Sequence, residues 1–436
     1  MRRLRQAGWE AYLVGGVVRD LLLGRLPHDL DIVTAARPEI VVGLFDRTIA
    51  VGREFGVVAV VAAGHAYEVA TFRREGPYLD GRRPSYVEYA DARADVLRRD
   101  FTVNALLYDP SSDAVLDFVD GRADLERRIV RTVGDPVERL REDRLRLLRA
   151  VRFAVELEFA IEPTTFDAIR AHAREVRGVS AERIRDELLR LLLPRGRADG
   201  IRLLESAGLL AMVLPEVAAM AGVPQPPEFH PEGDVLTHTC LALHHLEQPT
   251  AVLAVATLLH DVGKPPTYAV TDRIRFNDHA NVGGTIAEGI CQRLRFSAAA
   301  TRAVAVLVRD HLRIRDLPRM RPGRARQFLR RPDIGDLLAL HRADCLASHG
   351  DVTAYGWALQ ALTEVADAPP PRRLITGDDL IALGYAPGPR FAEMLEAVAA
   401  AQEDGEVTTP EEARTWIQAR FMAGSTTRGA EPRTAS

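Results

Sequence analysis

The sequence predicts an α+β protein in which a small mixed-sheet head is followed by a long all-α remainder. Up to about residue 130, short runs rich in Val, Ile and Phe alternate with turn residues, as expected for a mixed sheet. From about residue 136 to about residue 420, apolar residues recur at three- and four-residue spacing, which indicates helices. The 436 residues exceed one ordinary core, so we expect roughly two to four domains.

The individual elements follow from local patterns. The strand candidates lie in the head and are AYLV, DLDIVT, VVAVVAA, AYEVATF, TVNALLYD and VLDFV. Ala63, Gly64 and His65 separate two of them and predict a hairpin turn. The clearest helix pattern is PVERLREDRLRLLRAVRFAVEL at 136–157, with Pro136 near its start. Pro-rich stretches at 223–233 and 367–373 indicate domain boundaries. We therefore predict a head at 1–135, a helical neck and body at 136–222, a further helical domain at 228–350, a helical C-terminal region at 351–424 and a disordered end at 425–436.

The composition excludes several classes of protein. No apolar run approaches the roughly 20 residues that a membrane helix needs, and the basic N-terminus lacks the features of a signal peptide. The three cysteines, Cys240, Cys291 and Cys345, fit neither a disulfide framework nor a zinc cluster. We therefore expect a cytoplasmic protein that does not associate with membranes, and the sequence identifies no protein partner.

Charge has to be considered locally. The net charge of −4 gives no overall sign of a nucleic-acid partner, so any such contact depends on basic residues at the contact surface. Residues 301–331 hold ten Arg against two Asp. Two interpretations of this segment stay open, a solvated helical face and an RNA-contact surface.

A glycine turn in the head indicates a phosphate-binding loop. The segment AYLVGGVVRDLLLG (11–24) predicts a strand, a turn at Gly15-Gly16 and a short helix that ends at Gly24. Glycines at such a turn let backbone N–H groups approach a phosphate, and Arg19, one turn into the helix, can add a charge-assisted contact. Taken alone, a Gly-Gly pair after a strand more often marks an ordinary turn.

Three carboxylates indicate a metal site next to this turn. Asp29 and Asp31, in PHDLDIVT, lie two apart on a predicted strand, so both side chains face the same side. Such a pair repels unless a cation lies between the two groups, and Mg²⁺ prefers oxygen ligands and substrate phosphates. Glu68, in AYEVATFR, lies on the strand after the hairpin turn. The three carboxylates predict a two-metal site for phosphoryl transfer; a solvated acidic pair at a strand end is the alternative.

A series of sequence blocks resembles a known family. The blocks are LVGGVVRD, DLD, EVATFR, RRDFTVNAL (98–106) and EDRLRLLRAVRF (142–153). Their types and order resemble the class II tRNA nucleotidyltransferase and bacterial poly(A) polymerase family. The resemblance implies attack of an RNA 3′-hydroxyl on the α-phosphate of an incoming nucleotide, release of pyrophosphate, and Mg²⁺ as the cofactor of the head.

The resemblance also implies roles for particular residues. The metal ligands would be Asp29 and Asp31, with Glu68 completing the set. The nucleotide would be held at its triphosphate by Gly15, Gly16 and Arg19, and at its ribose or phosphates by Arg99 and Asp100. Asn104 would brace the block RRDFTVNAL internally.

A helix predicted over 137–157 presents a candidate base-reading face. Asp143, Arg146, Arg149 and Arg152 follow at three-residue steps, so successive members are neighbours on the helix surface. Asp143 offers acceptors and Arg146 offers donors. This pair matches the edges of cytosine and adenine, whereas uracil or guanine leaves mismatches that cost about 1–3 kcal/mol each. The resemblance implies the same role, a protein template for the base; an amphipathic helix with ion pairs is the alternative.

The product is predicted to be the full CCA end of tRNA, made from CTP and ATP, with contacts to the tRNA 3′ end and acceptor stem. The DGRRP element within 73–97 resembles the flexible loop of full CCA-adding enzymes, and VGREFGVVAVV (51–61) resembles their sequence more than that of poly(A) polymerases. Addition of only A or only CC, and poly(A) synthesis, remain alternatives.

A spaced series of His and Asp residues lies in the helical half. It comprises LTHTCLALHHL (236–246), LLHDVGKP (258–265), FNDHANVGG (276–284), RDHLRIR (309–315) and HRADCLASHG (341–350). A buried His-Asp pair needs partners, which a metal supplies, and the series resembles the HD domain, a helical metal-phosphohydrolase fold. The resemblance implies, as ligands, His238, His260, Asp261 and Asp344, with His279 and His311 for a second metal. Because imidazole ligands suit transition ions better than Mg²⁺, we expect Ni²⁺, Mn²⁺ or Fe²⁺ there.

Two further hypotheses differ in class from a transferase. One is an HD metal phosphohydrolase with an inactive head, which the intact carboxylates of the head disfavour. The other is an RNA-binding scaffold without chemistry, which the retained ligands of both sites disfavour. An HD domain that serves only as scaffold in an active transferase also stays open.

Overall fold

A computed structural model describes residues 1–27, 29–49, 56–78, 81–82, 84–367 and 372–421. The chain divides into two compact units, Met1–Val308 and Arg309–Ser436. Within the described ranges, no helix is long and apolar enough to cross a membrane. The mixed-sheet head and the helical remainder confirm the predicted fold class, while the finer division into domains stays a prediction.

The described part of the head is built on a seven-stranded sheet with the strand order β3-β4-β5-β2-β1-β8-β9. Its strands are β1 Ala11–Val14, β2 Ile32–Thr34, β3 Thr48–Ile49, β4 Val57–Ala62, β5 His65–Thr71, β8 Leu107–Asp109 and β9 Ala114–Leu116. A separate antiparallel pair consists of β6 Arg73–Glu75 and β7 Val87–Tyr89. The head helices are α1 Arg2–Gln6, α2 Gly16–Leu22, α3 Pro38–Leu44, α4 Ala92–Leu97 and α5 Gly121–Arg127.

Sheet pairing in the head is mixed. β2 pairs with β5 in parallel, whereas β1 pairs antiparallel with β2 and with β8. The hairpin from β4 to β5 turns at Ala63 and Gly64, where φ is 50° and 80°. Positive φ at both central residues is the geometry of a type I′ turn, which matches the twist of the flanking strands. The predicted hairpin is therefore confirmed.

The sheet is buried on both faces because successive side chains of a strand point in opposite directions. Ile32 packs in one apolar cluster with Val58, Val60 and Val69. Its neighbour Val33 packs in a second cluster that includes Phe72. One strand prediction was wrong in part, because Thr102–Asn104 of TVNALLYD forms a 3₁₀ turn before β8 begins.

The neck follows the head in a short parallel ladder of β10 Ile129–Val130 and β11 Ala160–Ile161. Its helices are α6 Pro136–Glu142, α7 Arg146–Leu157, α8 Pro163–His172, α9 Ala181–Leu192, α10 Arg197–Ser206, α11 Leu210–Val213 and α12 Pro215–Ala218, with a 3₁₀ turn at Ala173–Gly178. The single helix predicted over 137–157 was wrong, because α6 ends at Asp143, whose φ of −133° and ψ of 104° are extended. The Asp143 carboxylate accepts a hydrogen bond from the Leu145 backbone N–H at 3.1 Å, and such local bonds compete with helix.

The first unit continues through α13 Val235–His244, α14 Ala251–Leu259, α15 Lys264–Thr267 and α16 His279–Arg293, with a hairpin of β12 Tyr268–Val270 and β13 Ile274–Phe276. The helix α17 Ala298–Asp310 begins in the first unit, and its last two residues belong to the second. The second unit is helical. It contains a 3₁₀ turn at Arg313–Arg319 and the helices α18 Pro322–Leu329, α19 Ile334–Ala347, α20 Thr353–Asp367, α21 Gly377–Ala382, α22 Pro389–Glu403 and α23 Pro410–Phe421.

A buried arginine joins the neck to the helices that follow it. The Arg197 side chain is almost fully buried and donates hydrogen bonds to backbone carbonyls at the C-terminal ends of α9 and α13. The four acceptor oxygens belong to Leu192 at 2.8 Å, Leu193 at 2.8 Å, Leu246 at 2.9 Å and Leu243 at 3.2 Å. Helix C-termini present partial negative charge, so one cation stabilises both helix ends.

Candidate functional site

The glycine turn lies between β1 and α2, as predicted. Gly15 has a φ of 78°, which side chains disfavour, and a Cβ there would lie 3.5 Å from Arg99 Nη1. The Arg19 side chain is buried, and its Nη1 donates to Asn104 Oδ1 at 2.7 Å while its Nε donates to Asp20 Oδ1 at 2.8 Å. Asn104 therefore braces Arg19 beside the turn.

The first two carboxylates are placed differently from the prediction. Asp29 and Asp31 precede β2 instead of lying on it. The Asp31 carbonyl accepts a bond from Val14 N–H at 3.1 Å, and Val14 is the last residue of β1. Residues before Asp31 thus lie beyond the end of β1 and have no residue of that strand to pair with.

Glu68 is brought next to Asp31 by strand register. Ile32 pairs with Val69 between the parallel strands β2 and β5, which sets the preceding residues side by side. Burial raises the pKa of Asp31, and the charges of Glu68 and Asp29 raise it further, while Arg99 opposes the shift. Oxygen ligands that repel one another fit a divalent cation such as Mg²⁺.

Arg99 and Asp100 are held by ion pairs. Arg99 Nη2 lies 2.9 Å from Asp95, which is fully buried. Arg149 donates to Asp100 Oδ2 through Nε at 3.0 Å and Nη2 at 2.5 Å. Burial alone would raise the pKa of Asp100, but Arg149 holds that pKa at about 2. Asp100 therefore stays ionised and orients Arg149.

These groups meet in one cleft of about 510 Å³. Its lining, drawn from the described residues, is Gly15, Gly16, Val17, Arg19, Asp20, Asp29, Asp31, Arg99, Asp100, Asn104, Arg149, Arg152, Phe153, Glu156 and Arg190. The glycine turn, two of the three carboxylates and four of the predicted arginines thus share one space. Glu68, Asp143 and Arg146 are not part of this lining.

The aromatic centre of the cleft wall was not predicted from the sequence. The Phe153 ring has three guanidinium groups within cation–π distance, from Arg152 at 3.9 Å, Arg149 at 5.1 Å and Arg19 at 5.4 Å. Glu187 on α9 accepts a bond from Arg152 Nε at 2.6 Å. Phe153 belongs to the quoted block EDRLRLLRAVRF, whereas no signal in the sequence pairs Glu187 with Arg152.

The proposed base-reading pair lies at the junction of α6 and α7. Asp143 Oδ2 accepts a bond from Arg183 at 2.8 Å. Arg146 is buried and donates to Glu142 at 2.6 Å and to the Arg139 carbonyl at 2.7 Å. Because the helix breaks at Asp143, the expected continuous face of Asp143, Arg146, Arg149 and Arg152 does not form, and the template role stays a prediction.

A second cluster of polar groups lies in the first unit, around His260 and Asp261. His238 Nε2 lies 3.3 Å from His260 Nε2 and 3.6 Å from Asp261 Oδ2, and His279 Nε2 lies 3.6 Å from Asp261 Oδ1. Burial opposes ionisation of Asp261, yet His260 and Lys264 hold its pKa well below the usual range. Converging imidazole nitrogens and a carboxylate fit the ligand chemistry of a transition metal.

The remaining predicted ligands belong to the second unit. His311 follows α17 and is buried, and Asp344 lies on α19. Their role as metal ligands stays a prediction.

The arginine-rich segment continues into the second unit, where acidic partners neutralise part of it. Arg331 contacts Asp310 and lies 2.6 Å from Asp333, and Arg321 lies 2.5 Å from Glu406. A cleft of about 970 Å³ in this unit is lined by both arginines and glutamates, including Arg313, Arg324, Arg330, Arg331, Arg373, Glu393, Glu396 and Glu403. The RNA-contact role of the segment stays a prediction.

Three stretches of the chain match known families. Residues 11–131 match the family described as "Poly A polymerase head domain", residues 158–220 match "Probable RNA and SrmB- binding site of polymerase A", and residues 234–348 match "HD domain". The match of the head to this family, together with its glycine turn and carboxylates, identifies the class of protein as a nucleotidyltransferase.

Several relatives resemble the chain. A CC-adding tRNA nucleotidyltransferase of Thermus thermophilus is 39% identical over 427 residues, 94% of this chain and 93% of that protein. An A-adding tRNA nucleotidyltransferase of Deinococcus radiodurans is 37% identical over 94% of this chain and 95% of that protein. A CCA-adding enzyme of Levilactobacillus brevis is 46% identical, but the match spans only 48% of this chain and 53% of that enzyme.

A solved structure adds to these matches. The CCA-adding enzyme of Bacillus stearothermophilus in complex with CTP superposes with a TM-score of 0.72 and 29% identity, over 97% of this chain and 96% of that one. The chain belongs to the tRNA nucleotidyltransferase family. The resemblance stated from the sequence is thereby confirmed, while the roles of individual site residues stay predictions.

Proposed function

We propose that the chain adds CMP and AMP to the 3′ end of tRNA, from CTP and ATP, and completes the CCA end without a nucleic-acid template. The observation that supports this most is the single cleft in which Gly15, Gly16 and Arg19 lie beside Asp29 and Asp31. A triphosphate and catalytic metal ions can share this space, as nucleotidyl transfer requires. The tRNA acceptor end and the two nucleotides are the expected partners, in the cytoplasm.

The residues of the cleft bind and orient the reactants. The glycine turn lets phosphate oxygens approach the backbone, and Arg19, fixed by Asn104, supplies a charge-assisted contact. Asp29 and Asp31, with Glu68, would hold Mg²⁺, which when bound lowers the pKa of the attacking 3′-hydroxyl and stabilises charge on the transferred phosphoryl group. Arg99 lies near the glycine turn, and its charge acts to lower the pKa of Asp31.

Base selection falls to Asp143 and Arg146 in this proposal. Arg183 holds one oxygen of Asp143 and leaves further lone pairs on the carboxylate for a base amino group. Glu142 and backbone carbonyls hold the Arg146 guanidinium, which has five N–H donors to share. Both groups act within the neck, next to the arginines that line the cleft.

Partial addition is the second candidate, and a specific observation favours it. Two relatives that align over nearly the whole chain in sequence are a CC-adding and an A-adding tRNA nucleotidyltransferase, whereas the match to the CCA-adding enzyme of Levilactobacillus brevis covers about half of that enzyme. The DGRRP element is only partly described, since residues 80 and 83 lie outside the described ranges, as do residues 51–55 of VGREFGVVAVV.

Product sequencing distinguishes these outcomes. The purified chain is incubated with tRNA ending at the discriminator base, at C or at CC, in CTP, in ATP and in both. CCA on the first substrate with both nucleotides supports the proposal. Growth that stops at CC identifies a CC-adding enzyme, growth only on the CC-ended tRNA identifies an A-adding enzyme, and long A tracts identify a poly(A) polymerase.

A second activity is proposed for the HD domain. His238, His260, Asp261 and His279 would hold a transition metal such as Ni²⁺, Mn²⁺ or Fe²⁺, which when bound can activate water for attack on a phosphoester. The buried position of the first three residues excludes bulk water from the ligands. A phosphatase or cyclic phosphodiesterase of this kind would prepare RNA 3′ ends for nucleotide addition.

A further inference from the structure

The Pro-rich segment at 223–233 is a closed loop and not an open linker. Its two ends are joined by a bridge between Pro224 and Asp234 and by a hydrogen bond from Val235 N–H to the Val223 carbonyl at 3.1 Å. Asp234 also caps α13, because its carboxylate accepts a bond from Thr237 N–H at 2.7 Å. The loop is therefore fixed to the start of the helix that presents His238.

One carboxylate of this loop contacts two imidazole rings. Glu232 Oε1 accepts hydrogen bonds from His238 Nδ1 at 2.7 Å and from His230 Nδ1 at 2.9 Å. The Glu232 side chain is 7% exposed and that of His238 is fully buried, so water does not compete for the bond between them. The two bonds require the hydrogen to lie on Nδ1 of each ring, because an ionised carboxylate accepts but does not donate.

The opposite nitrogen of His238 points to the cluster around Asp261. With its hydrogen on Nδ1, the neutral ring exposes a lone pair at Nε2, 3.3 Å from His260 Nε2 and 3.6 Å from Asp261 Oδ2. His260 has the same tautomer, with its hydrogen on Nδ1, since this atom donates to the Thr257 carbonyl at 2.8 Å. Both rings thus direct a lone pair to the same place, which is the arrangement that a metal ion needs from two histidines.

A second side chain of the loop supports the other edge of the cluster. Gln225 is buried, and its Oε1 accepts a bond from Lys264 Nζ at 2.6 Å, while the same Nζ lies 2.7 Å from Asp261 Oδ2. The loop therefore contacts the cluster at two points, through His238 and through Lys264. A segment that only connected two domains would not require either contact.

We propose that Glu232 is a positioning residue that fixes the tautomer and the orientation of His238 for metal binding, so that the Pro-rich loop is a working part of the metal centre. This inference rests on the metal site proposed above for His238, His260 and Asp261. Carboxylates that accept a bond from a metal-binding histidine raise the basicity of its second nitrogen, and their loss typically weakens metal binding about 10–100-fold.

The test compares three variants of the full chain. Glu232→Leu removes the acceptor, Glu232→Gln keeps one acceptor oxygen without the charge, and Glu228→Leu is the matched control, since Glu228 is an exposed carboxylate of the same loop. Each metal-stripped protein is titrated with Ni²⁺ by calorimetry. We expect about 10–100-fold weaker binding for Glu232→Leu, a smaller loss for Glu232→Gln and no change for Glu228→Leu.

A second readout does not depend on metal. Long-range ¹H–¹⁵N spectra of histidine-labelled protein report the tautomer of each ring. The signal of His238 should show the hydrogen on Nδ1 in wild type and in Glu232→Gln, and a shift towards the other tautomer in Glu232→Leu.

The two readouts separate the two proposals. A wild type that binds no Ni²⁺ overturns the metal site, and the spectra then still decide whether Glu232 sets the tautomer. Equal Ni²⁺ binding by wild type and Glu232→Leu, or an unchanged His238 tautomer in Glu232→Leu, overturns the role of Glu232. If Glu232→Leu fails to fold, an unaltered affinity in the isosteric Glu232→Gln overturns the charge-dependent part of that role.

Discussion

Replacement of Arg197 by methionine should destabilise the first unit strongly. The guanidinium donates to four backbone carbonyls at the ends of α9 and α13, three of them at 2.8–2.9 Å and one at 3.2 Å. Methionine fills a similar volume but donates no hydrogen bond. The carbonyls of Leu192, Leu193 and Leu246 lose this partner, whereas the Leu243 carbonyl keeps the bond from Leu246 N–H at 3.4 Å. An unsatisfied buried acceptor costs about 1–3 kcal/mol. We take about 1 kcal/mol for each, because release of a buried cation offsets part of the loss.

The sum is about 3 kcal/mol, or roughly a 150-fold change in the unfolding equilibrium. At about 2 °C per kcal/mol for a unit of this size, the unfolding midpoint should fall by about 6 °C. Differential scanning calorimetry measures this shift on the full chain. Arg195→Met is the matched control, because Arg195 lies two residues away and is exposed. Arg197→Lys should fall between the two, since it keeps the charge without the planar group of donors.

One result would refute this reasoning. If Arg197→Met unfolds within about 1 °C of Arg195→Met, the four hydrogen bonds contribute no net stability and desolvation of the cation cancels them. Retention of the shift at high salt is also expected, because the contacts are buried and screened little.

The remaining predictions concern the sites and one turn. Asp31→Ala should reduce nucleotide addition to tRNA by at least about 100-fold while tRNA affinity stays within about twofold, since metal ligands act mainly in the transition state; incorporation near the wild-type rate would reject the metal assignment. Arg146→Ala should raise incorporation of UTP or GTP relative to CTP in single-turnover assays. An equal loss of rate with every nucleotide would instead indicate that Arg146 has only a structural role at the α6–α7 junction. Asp261→Ala should abolish bound transition metal, measured by elemental analysis, and any cyclic phosphodiesterase activity without changing nucleotide addition, because the two sites have separate ligands; equal metal content in both proteins would contradict this. Ala63→Asn should raise the unfolding free energy by about 1 kcal/mol, since Asn tolerates the positive φ of 50° better than Ala, and a lower midpoint in calorimetry would argue against strain at that turn.

Local patterns predicted the secondary structure around Gly15 and the hairpin at Ala63. The strand, glycine turn and helix around Gly15 are local in sequence, and the hairpin at Ala63 follows from turn chemistry, so both could be recognised before the structure was known. The position of Asp29 could not, because it depends on where the neighbouring strand β1 ends. The break at Asp143 was also hidden, since the apolar spacing continues through it and one side-chain bond to Leu145 N–H decides the outcome.

Contacts between distant segments account for the other differences. Glu187 meets Arg152 across 35 residues of chain, and no periodicity in either helix encodes that pairing. The Pro-rich segment had the composition of a linker, yet Glu232 and Gln225 point inward from it. The composition of a segment predicts whether its backbone forms a loop. It does not predict the partners of the polar side chains, because these depend on the helices packed beside the loop.

The two-residue turn at Ala63 and Gly64 controls chemistry at the far end of its hairpin. β5 is aligned with β4 over six residue pairs, from Ala62 and His65 to Val57 and Ala70, and β5 in turn meets β2 beside Asp31. Insertion of a single residue into the turn would slip this register by one and rotate every side chain of β5 to the opposite face. Glu68 would then take the place of Val69 in the apolar layer of the sheet, and Tyr67 would take the place of Glu68 beside Asp31. If the carboxylates act as proposed, the length of this surface turn matters to the reaction as much as they do, and the hairpin should tolerate changes of residue type but not of length.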